Sequence, residues 1–311
     1  NMISKKLSLN KNSLVTEIAS NDGYLLQYFK KKNIPCIGIE PTSSTAKVAK
    51  EKGIEVIEKF FGSELAKNIK KSDLLLGNNV LAHVPNIRDF VKGLRITLKK
   101  SGTITLEFPH LLNLINENQF DTIYHEHFSY FSLYTLKKIF KSQKLKIYDV
   151  EKLSTQGGSL RIFVKHQENK NITISDNISK IIKEEKQFGL LKTDTYKQFQ
   201  ENVEQIKYDL LKFLLKSKKE NKTIVAYGAA AKGNTLLNYS GIKNDYIKFV
   251  VDKSPYKQNM YLPGSHIPIV DENKIKKLKP DYILILPWNI KDEIASQLKY
   301  VQKWNCKFVV S

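Results

Sequence analysis

Cysteine is nearly missing from this chain of 311 residues, with Cys36 and Cys306 the whole complement. Two thiols build neither a disulfide framework nor, alone, a structural zinc site, and the sequence reads as that of a soluble protein of a reducing, cytoplasmic compartment. Arginine is equally scarce: only Arg88, Arg95 and Arg161 stand within a Lys+Arg total of 51. No run approaches the roughly 18 uninterrupted apolar residues of a membrane span. The stretch from Asn1 to Lys11 is polar and lysine-bearing, without the apolar centre of a signal peptide, so no membrane association is expected. Solenoid-period repeats and low-complexity tracts are missing as well.

What is plentiful is lysine. With 31 acidic residues the net charge is +20, an excess that ordinarily points to nucleic acid. Yet arginine is the side chain that reads guanine and grips phosphate with two donors, and the lysines are scattered in pairs such as Lys99-Lys100, Lys137-Lys138 and Lys276-Lys277. The charge therefore reads as a solvated coat that also steers acidic small molecules, with no nucleic-acid partner. Hydrophobic residues at 41% and charged residues at 26% exclude wholesale disorder. At about 150 residues per domain the length suggests two domains.

Short β-rich runs alternate with lysine-studded helical segments, the pattern of parallel α/β sheets. Strands are expected at 14–19, 35–40, 54–57, 73–77, 103–108, 146–150 and 159–165, with helices at 24–32, 43–52, 87–99 and 133–142. From Asp176 to Asn221 the helical period runs without a strand and reads as a connector. A second alternation follows, with strands at 223–227, 248–251, 282–286 and 307–310 and helices at 233–239, 271–277 and 292–304. The economical architecture is two Rossmann-like units, residues 1–166 and 223–311, joined by a helical connector at 167–222.

The first strand runs into Glu17-Ile18-Ala19-Ser20-Asn21-Asp22-Gly23, and about 20 residues later the second ends at Glu40, where an acid accepts both ribose hydroxyls. That combination predicts an adenosine-type cofactor. A dinucleotide fingerprint wants three glycines for close approach to a pyrophosphate. Here only Gly23 remains, with Ala19 and Asn21 where glycines would stand, and Glu17 would repel a pyrophosphate but attract an amino group. S-adenosylmethionine is therefore favoured over NAD, with Asn79 beyond the Leu74–Leu76 strand as a further cofactor contact.

A second candidate site is Tyr124-His125-Glu126-His127. In an extended segment the histidines share one face; in a loop all four groups could converge. A histidine here could hold and release a proton at neutral pH. Two histidines beside a carboxylate also resemble a metal cluster that His83 or His110 would complete, and a polar structural turn is the plainer alternative. His83 is as readily a satisfied structural histidine as an active-site one. A third candidate is Gly228-Ala229-Ala230-Ala231-Lys232-Gly233, which ends a strand and opens a helix without matching a Walker loop. Small residues at a helix start with an adjacent lysine suit a diphosphate, and Asp252 at the end of the next strand could accept a ribose hydroxyl. A unit that only packs is the alternative.

The strings Glu17-Ile-Ala-Ser-Asn-Asp-Gly-Tyr-Leu-Leu, Gly38-Ile-Glu-Pro, Asn79-Val-Leu-Ala-His-Val, Asp121-Thr-Ile-Tyr-His-Glu-His-Phe-Ser-Tyr-Phe-Ser and Gly157-Gly-Ser-Leu-Arg161 resemble the nucleotide-sugar C-methyltransferases in order and spacing. The resemblance covers nearly the whole chain. It implies a class I S-adenosylmethionine-dependent fold, and an enzyme that methylates carbon-3 of a 4-keto-deoxy sugar carried by a nucleoside diphosphate. It implies His127 as base, Tyr124 as a hydrogen-bonding partner of the sugar or enolate oxygen, and Glu126 as an orienting or auxiliary acid–base group. It also places His83, Gly158, Ser159, Gly228, Lys232 and Asp252 at the substrate. Relatives usually carry an N-terminal zinc module with four cysteines; this sequence starts almost at the first strand, so no zinc is expected, and a separate chain could supply the module. Gln156 stands where relatives often have histidine. An O-methyltransferase, an NAD-dependent nucleotide-sugar oxidoreductase and a non-enzymatic nucleotide-sugar binder are the rival functions.

Overall fold

The computed structural model describes residues 2–311, and the chain divides into two compact units. The first comprises the chain up to Asn113 together with Glu126–Leu191; the second comprises Leu114–His125 and Lys192–Ser311.

In the first unit a short helix α1 (Met2–Lys6) precedes β1 (Val15–Ile18), α2 (Leu26–Lys30), β2 (Cys36–Ile39), α3 (Ser43–Glu51), β3 (Glu55–Ile57), α4 (Ser63–Lys67) and β4 (Ser72–Asn78). Then come α5 (Ile87–Thr97), β5 (Leu98–Pro109), α6 (Leu111–Asn116), α7 (Leu133–Ser142), β6 (Leu145–Leu153), β7 (Ser159–His166) and α8 (Asn177–Phe188). Helix α6 spans the change from one unit to the other. The sheet order is β3-β2-β1-β4-β5-β7-β6. Leu74 and Leu75 of β4 are fully buried, as a strand covered on both faces requires. The helices are started by local chemistry: Asn86 accepts the Asp89 N–H ahead of α5, and Ser132 accepts the Thr135 N–H ahead of α7.

In the second unit α9 (Thr193–Lys219) leads into β8 (Ile224–Tyr227), α10 (Ala231–Ser240), β9 (Val250–Val251), β10 (Ile269–Val270), α11 (Asn273–Leu278), β11 (Tyr282–Ile285), α12 (Lys291–Gln297) and β12 (Lys307–Val309). Its strands, in the order β10-β9-β8-β11-β12, all pair in parallel.

Both Rossmann-like sheets follow the expected alternation, with three differences. The first sheet is mixed, because β7 runs antiparallel to β5 and β6; β6 and β7 are joined by a turn too short for a crossover helix. The connector is two helices that belong to different bodies. Ile178 and Ile181 of α8 lie in the first core, whereas Val203, Leu210 and Leu214 of α9 lie in the second. The break is Gly189, whose left-handed φ of 95° ends α8. Finally, Leu114–His125 leaves the sequence of the first unit to join the second, so neither unit follows the boundaries at 166 and 222. No helix among the described residues is long and apolar enough to cross a membrane.

Candidate active site

Strand β1 lies inside its sheet, with Glu17 opposite Gly38 on one side and Leu76 on the other. A glutamate there is stripped of water: Glu17 is 6% exposed and its Oε2 has no hydrogen-bond partner. Burial, reinforced by the charge of Asp22, raises its carboxyl to about 8. The turn beyond bends through Ala19 (φ 56°), Asn21 (φ 53°) and Gly23 (φ 75°). A left-handed alanine costs about 1–2 kcal/mol, so this chain keeps the glycine-rich backbone shape at two positions without the glycines. Glu40, buried at the end of β2, accepts the Asn21 N–H at 3.0 Å and the Thr42 N–H at 2.9 Å, fastening the turn to the start of α3. Beyond the adjacent β4, Asn79 sits at φ 54° with its Oδ1 buried and unpartnered, and the Ser20 hydroxyl is likewise unpartnered. Unmade buried hydrogen bonds cost about 1–3 kcal/mol each. The three lie around the ends of adjacent strands, and a ligand that donates hydrogen bonds would satisfy the Glu17 and Asn79 oxygens.

The Tyr124–His127 segment is a turn, not a strand. Tyr124 and His125 belong to the second unit and Glu126 and His127 to the first. His125 and Glu126 are exposed, and Tyr124 and His127 half-buried. The end of β4 positions His127. The 3-10 turn Leu81–His83 offers the Ala82 carbonyl to the Phe128 N–H at 2.8 Å, and the His83 ring meets the His127 ring edge-on with centroids 4.8 Å apart. Tyr130, to which the sequence assigns no role, also meets the His127 ring edge-on, with centroids 5.9 Å apart. His83 thus stands beside the expected base.

Two expected substrate contacts have other tasks. Ser159 is 1% exposed and donates its hydroxyl to the Thr155 carbonyl at 3.0 Å. Gly158 has φ 104°, and a Cβ there would fall 1.9 Å from Asn113 Nδ2. Both residues shape the turn before β7, which buried Glu107 holds by accepting Thr155 Oγ1 and Arg161 Nη2, each at 2.8 Å. His110 takes no part in a metal cluster: it is buried against Glu185 at 2.8 Å. Among the described residues no three His, Cys, Asp or Glu side chains are placed to hold a metal ion.

The second unit repeats the acid bracket of the first. Asp252, beyond β9, accepts the N–H groups of Ala229 and Ser254, each at 2.8 Å, with Lys257 at 3.6 Å. Its oxygens are therefore already engaged by backbone. Gly228 has φ 91°, and the room a Cβ would need is filled by the Pro287 ring at 2.5 Å, so packing explains this glycine. Lys232 lies in the first turn of α10, which no side chain caps. Its ammonium sits 4.3 Å from the Trp288 ring centroid and donates to Asn289 Oδ1 at 2.9 Å. Burial lowers its basicity, opposed by the charge of Asp121.

Residues 3–150 match the methyltransferase domain family, and residues 154–311 match the C-methyltransferase C-terminal domain family. The curated C-methyltransferase NovU of Streptomyces niveus is 32% identical over 310 residues, covering 98% of this chain and 74% of that protein. The chain belongs to the C-methyltransferase family. Among solved structures, a putative S-adenosylmethionine-dependent methyltransferase from Listeria monocytogenes aligns with 53% of this chain and 98% of its own, at 16% identity and a TM-score of 0.43. The magnesium protoporphyrin IX methyltransferase of Synechocystis, solved with S-adenosylhomocysteine, aligns with 52% of this chain and 77% of its own, at 14% identity and a TM-score of 0.43.

This C-methyltransferase is an enzyme of the class I fold, and its methyl donor is S-adenosylmethionine. The residues around β1 fit that cofactor. The orphaned Glu17 oxygen suits a cationic amino group, and the left-handed turn brings backbone up to a ligand lacking phosphates. Family membership sets aside the NAD oxidoreductase, the O-methyltransferase and the non-enzymatic binder.

Proposed function

We propose that the substrate is a 4-keto-deoxy sugar carried by a nucleoside diphosphate, and that the methyl group goes to its carbon-3. The observation that carries this reading is the His83–His127 ring pair, held at the end of the strand next to the one bearing Glu17. A ketone at carbon-4 acidifies the carbon-3 hydrogen, and His127 takes that proton as general base. His83, edge-on to it, restrains the imidazole and limits its rotation. Tyr124 donates to the oxygen on which enolate charge builds, and Glu126 serves as an orienting or auxiliary acid–base group. S-adenosylmethionine, when bound, would supply the electrophilic methyl group on its sulfonium sulfur that such a carbon needs.

Glu17, with Ala19, Asn21, Gly23, Glu40 and Asn79, would hold the cofactor. Lys232 at the open start of α10 would take the diphosphate, and Gly228 and Asp252 shape the loop that presents it. Gly158 and Ser159 support the site through the turn before β7.

The test is incubation with a 4-keto-6-deoxy nucleotide-sugar in heavy water, with and without the donor. Deuterium is expected at carbon-3 without S-adenosylmethionine, and a carbon-bound methyl with it. His127→Ala is expected to slow both about 10²–10⁴-fold. A methyl found on oxygen, or undiminished turnover in His127→Ala, defeats the reading.

A further inference from the structure

One buried acid in the second unit has no part in this scheme. Asp121 lies in the 3-10 turn Phe120–Thr122, within the Leu114–His125 excursion. It is 4% exposed; its Oδ2 accepts the Trp288 indole N–H at 2.7 Å, and its Oδ1 is buried without a partner. Trp288 is the side chain whose ring lies under the Lys232 ammonium. Burial pushes the Asp121 carboxyl up, while the indole hydrogen bond and the Lys232 charge pull it down.

A purely structural anchor would not need this carboxylate. Phe120 already holds the turn by burial in the second core, its ring 5.3 Å from that of Tyr239. Asn118 adds a link to α9, accepting from Asn202 at 3.3 Å. A neutral acceptor would satisfy the indole equally well, and a buried carboxylate is costly unless a cation answers it. Lys232, held against the same Trp288 ring, is the cation whose charge reaches it. Immediately downstream the same chain continues into Tyr124.

We propose that Asp121 is a positioning residue, which grips the Trp288 indole to fix the start of the Tyr124–His127 turn and uses its charge to set the Lys232 ammonium at the diphosphate seat. The proposal rests on the nucleotide-sugar reading for what occupies that seat, but not for the anchor itself. The two functions of the carboxylate separate by substitution. Asp121→Ala removes acceptor and charge, Asp121→Asn removes the charge alone, and Trp288→Phe removes the indole donor while leaving a ring under Lys232.

Hydrogen–deuterium exchange of the whole 311-residue chain tests the anchor without any sugar. Asp121→Ala and Trp288→Phe are expected to speed uptake across residues 119–128 about tenfold or more, with the β8–β12 sheet unchanged. The double variant should be no faster than either single one. In turnover, both single variants are expected to lose about ten- to a hundredfold in kcat, the worth of one charge-assisted hydrogen bond, and Asp121→Asn to recover most of it. Asp121→Asn should also bind inorganic pyrophosphate about two- to fivefold more weakly, because the charge that holds the Lys232 ammonium at the seat is gone; unchanged or tighter binding defeats that function of the carboxylate. Wild-type uptake over 119–128 in Asp121→Ala and Trp288→Phe overturns the proposal, as does faster uptake spread evenly over the whole second unit. Faster uptake confined to 119–128, in a protein that turns over no keto-sugar, upholds the anchor and defeats the sugar reading instead.

Discussion

Glu17 gives the active site a pH signature. Its folded carboxyl titrates near 8 against an ordinary 4.5, so between those values the folded protein holds a proton that the unfolded chain has released. The stability this group contributes is present at low pH and lost as pH rises through that window. Glu17→Gln is therefore expected to raise stability at pH 8 by on the order of 2 kcal/mol and to change little at pH 4, as thermal melts would show. A cationic ligand draws the proton off. Binding of S-adenosylmethionine at pH 7 should release close to one proton (~0.9 for a pKa of 8), read by calorimetry in buffers of different ionisation enthalpy, and Glu17→Gln should release none. Residues of this kind were legible in the sequence, because an acid at a strand end or histidines flanking a glutamate declare their chemistry by type. Ser159 and Gly228 were not, since their tasks are set by Thr155 and Pro287 through packing. Asp121 stood inside a noted string without a role, its partner Trp288 being 167 positions away.

Helix α7 shows how one element depends on another. Glu185 of α8 accepts the Leu133 N–H at 2.6 Å and the Tyr134 N–H at 2.9 Å while pairing with His110 at 2.8 Å. A carboxylate at a helix start answers both the open N–H groups and the helix dipole. Glu185→Ala leaves these buried donors and a buried imidazole without their partner, and should cost about 3–5 kcal/mol in urea unfolding, with Glu185→Gln losing less. The long strands and helices were legible from their periodicity. Helices α1, α4 and α6, at five or six residues each, are too short to show one. The two-residue strand β10 is shorter still, and the division of the connector was hidden because α8 and α9 have similar periods and face different cores.

For the whole molecule, the lysine excess is a property of surface rather than of fold. A cavity of about 840 Å³ beside the starts of β4 and β5, lined by Lys71, Arg95, Lys100, His166 and Lys170, shows how it gathers locally. Such a field steers anions and is screened by salt. The KM for an anionic nucleotide-sugar is accordingly expected to rise about two- to fivefold between roughly 50 and 300 mM salt, with that for S-adenosylmethionine changing less, as steady-state kinetics would measure. Two α/β units were legible from the alternation of strands and helices. Their interleaving was not, because no local pattern marks a segment that leaves one body to join another.

That interleaving imposes an order in time. Phe120 and Asp121 emerge from the ribosome long before Trp288, 167 residues later; at 5–20 residues per second the interval is about 10–30 s. Throughout it an apolar ring and an acid destined for the second core wait while the first body is being made around them. The terminal half of the protein is thus completed from the middle of its own message, and a fragment starting at residue 192 would be born without its first piece.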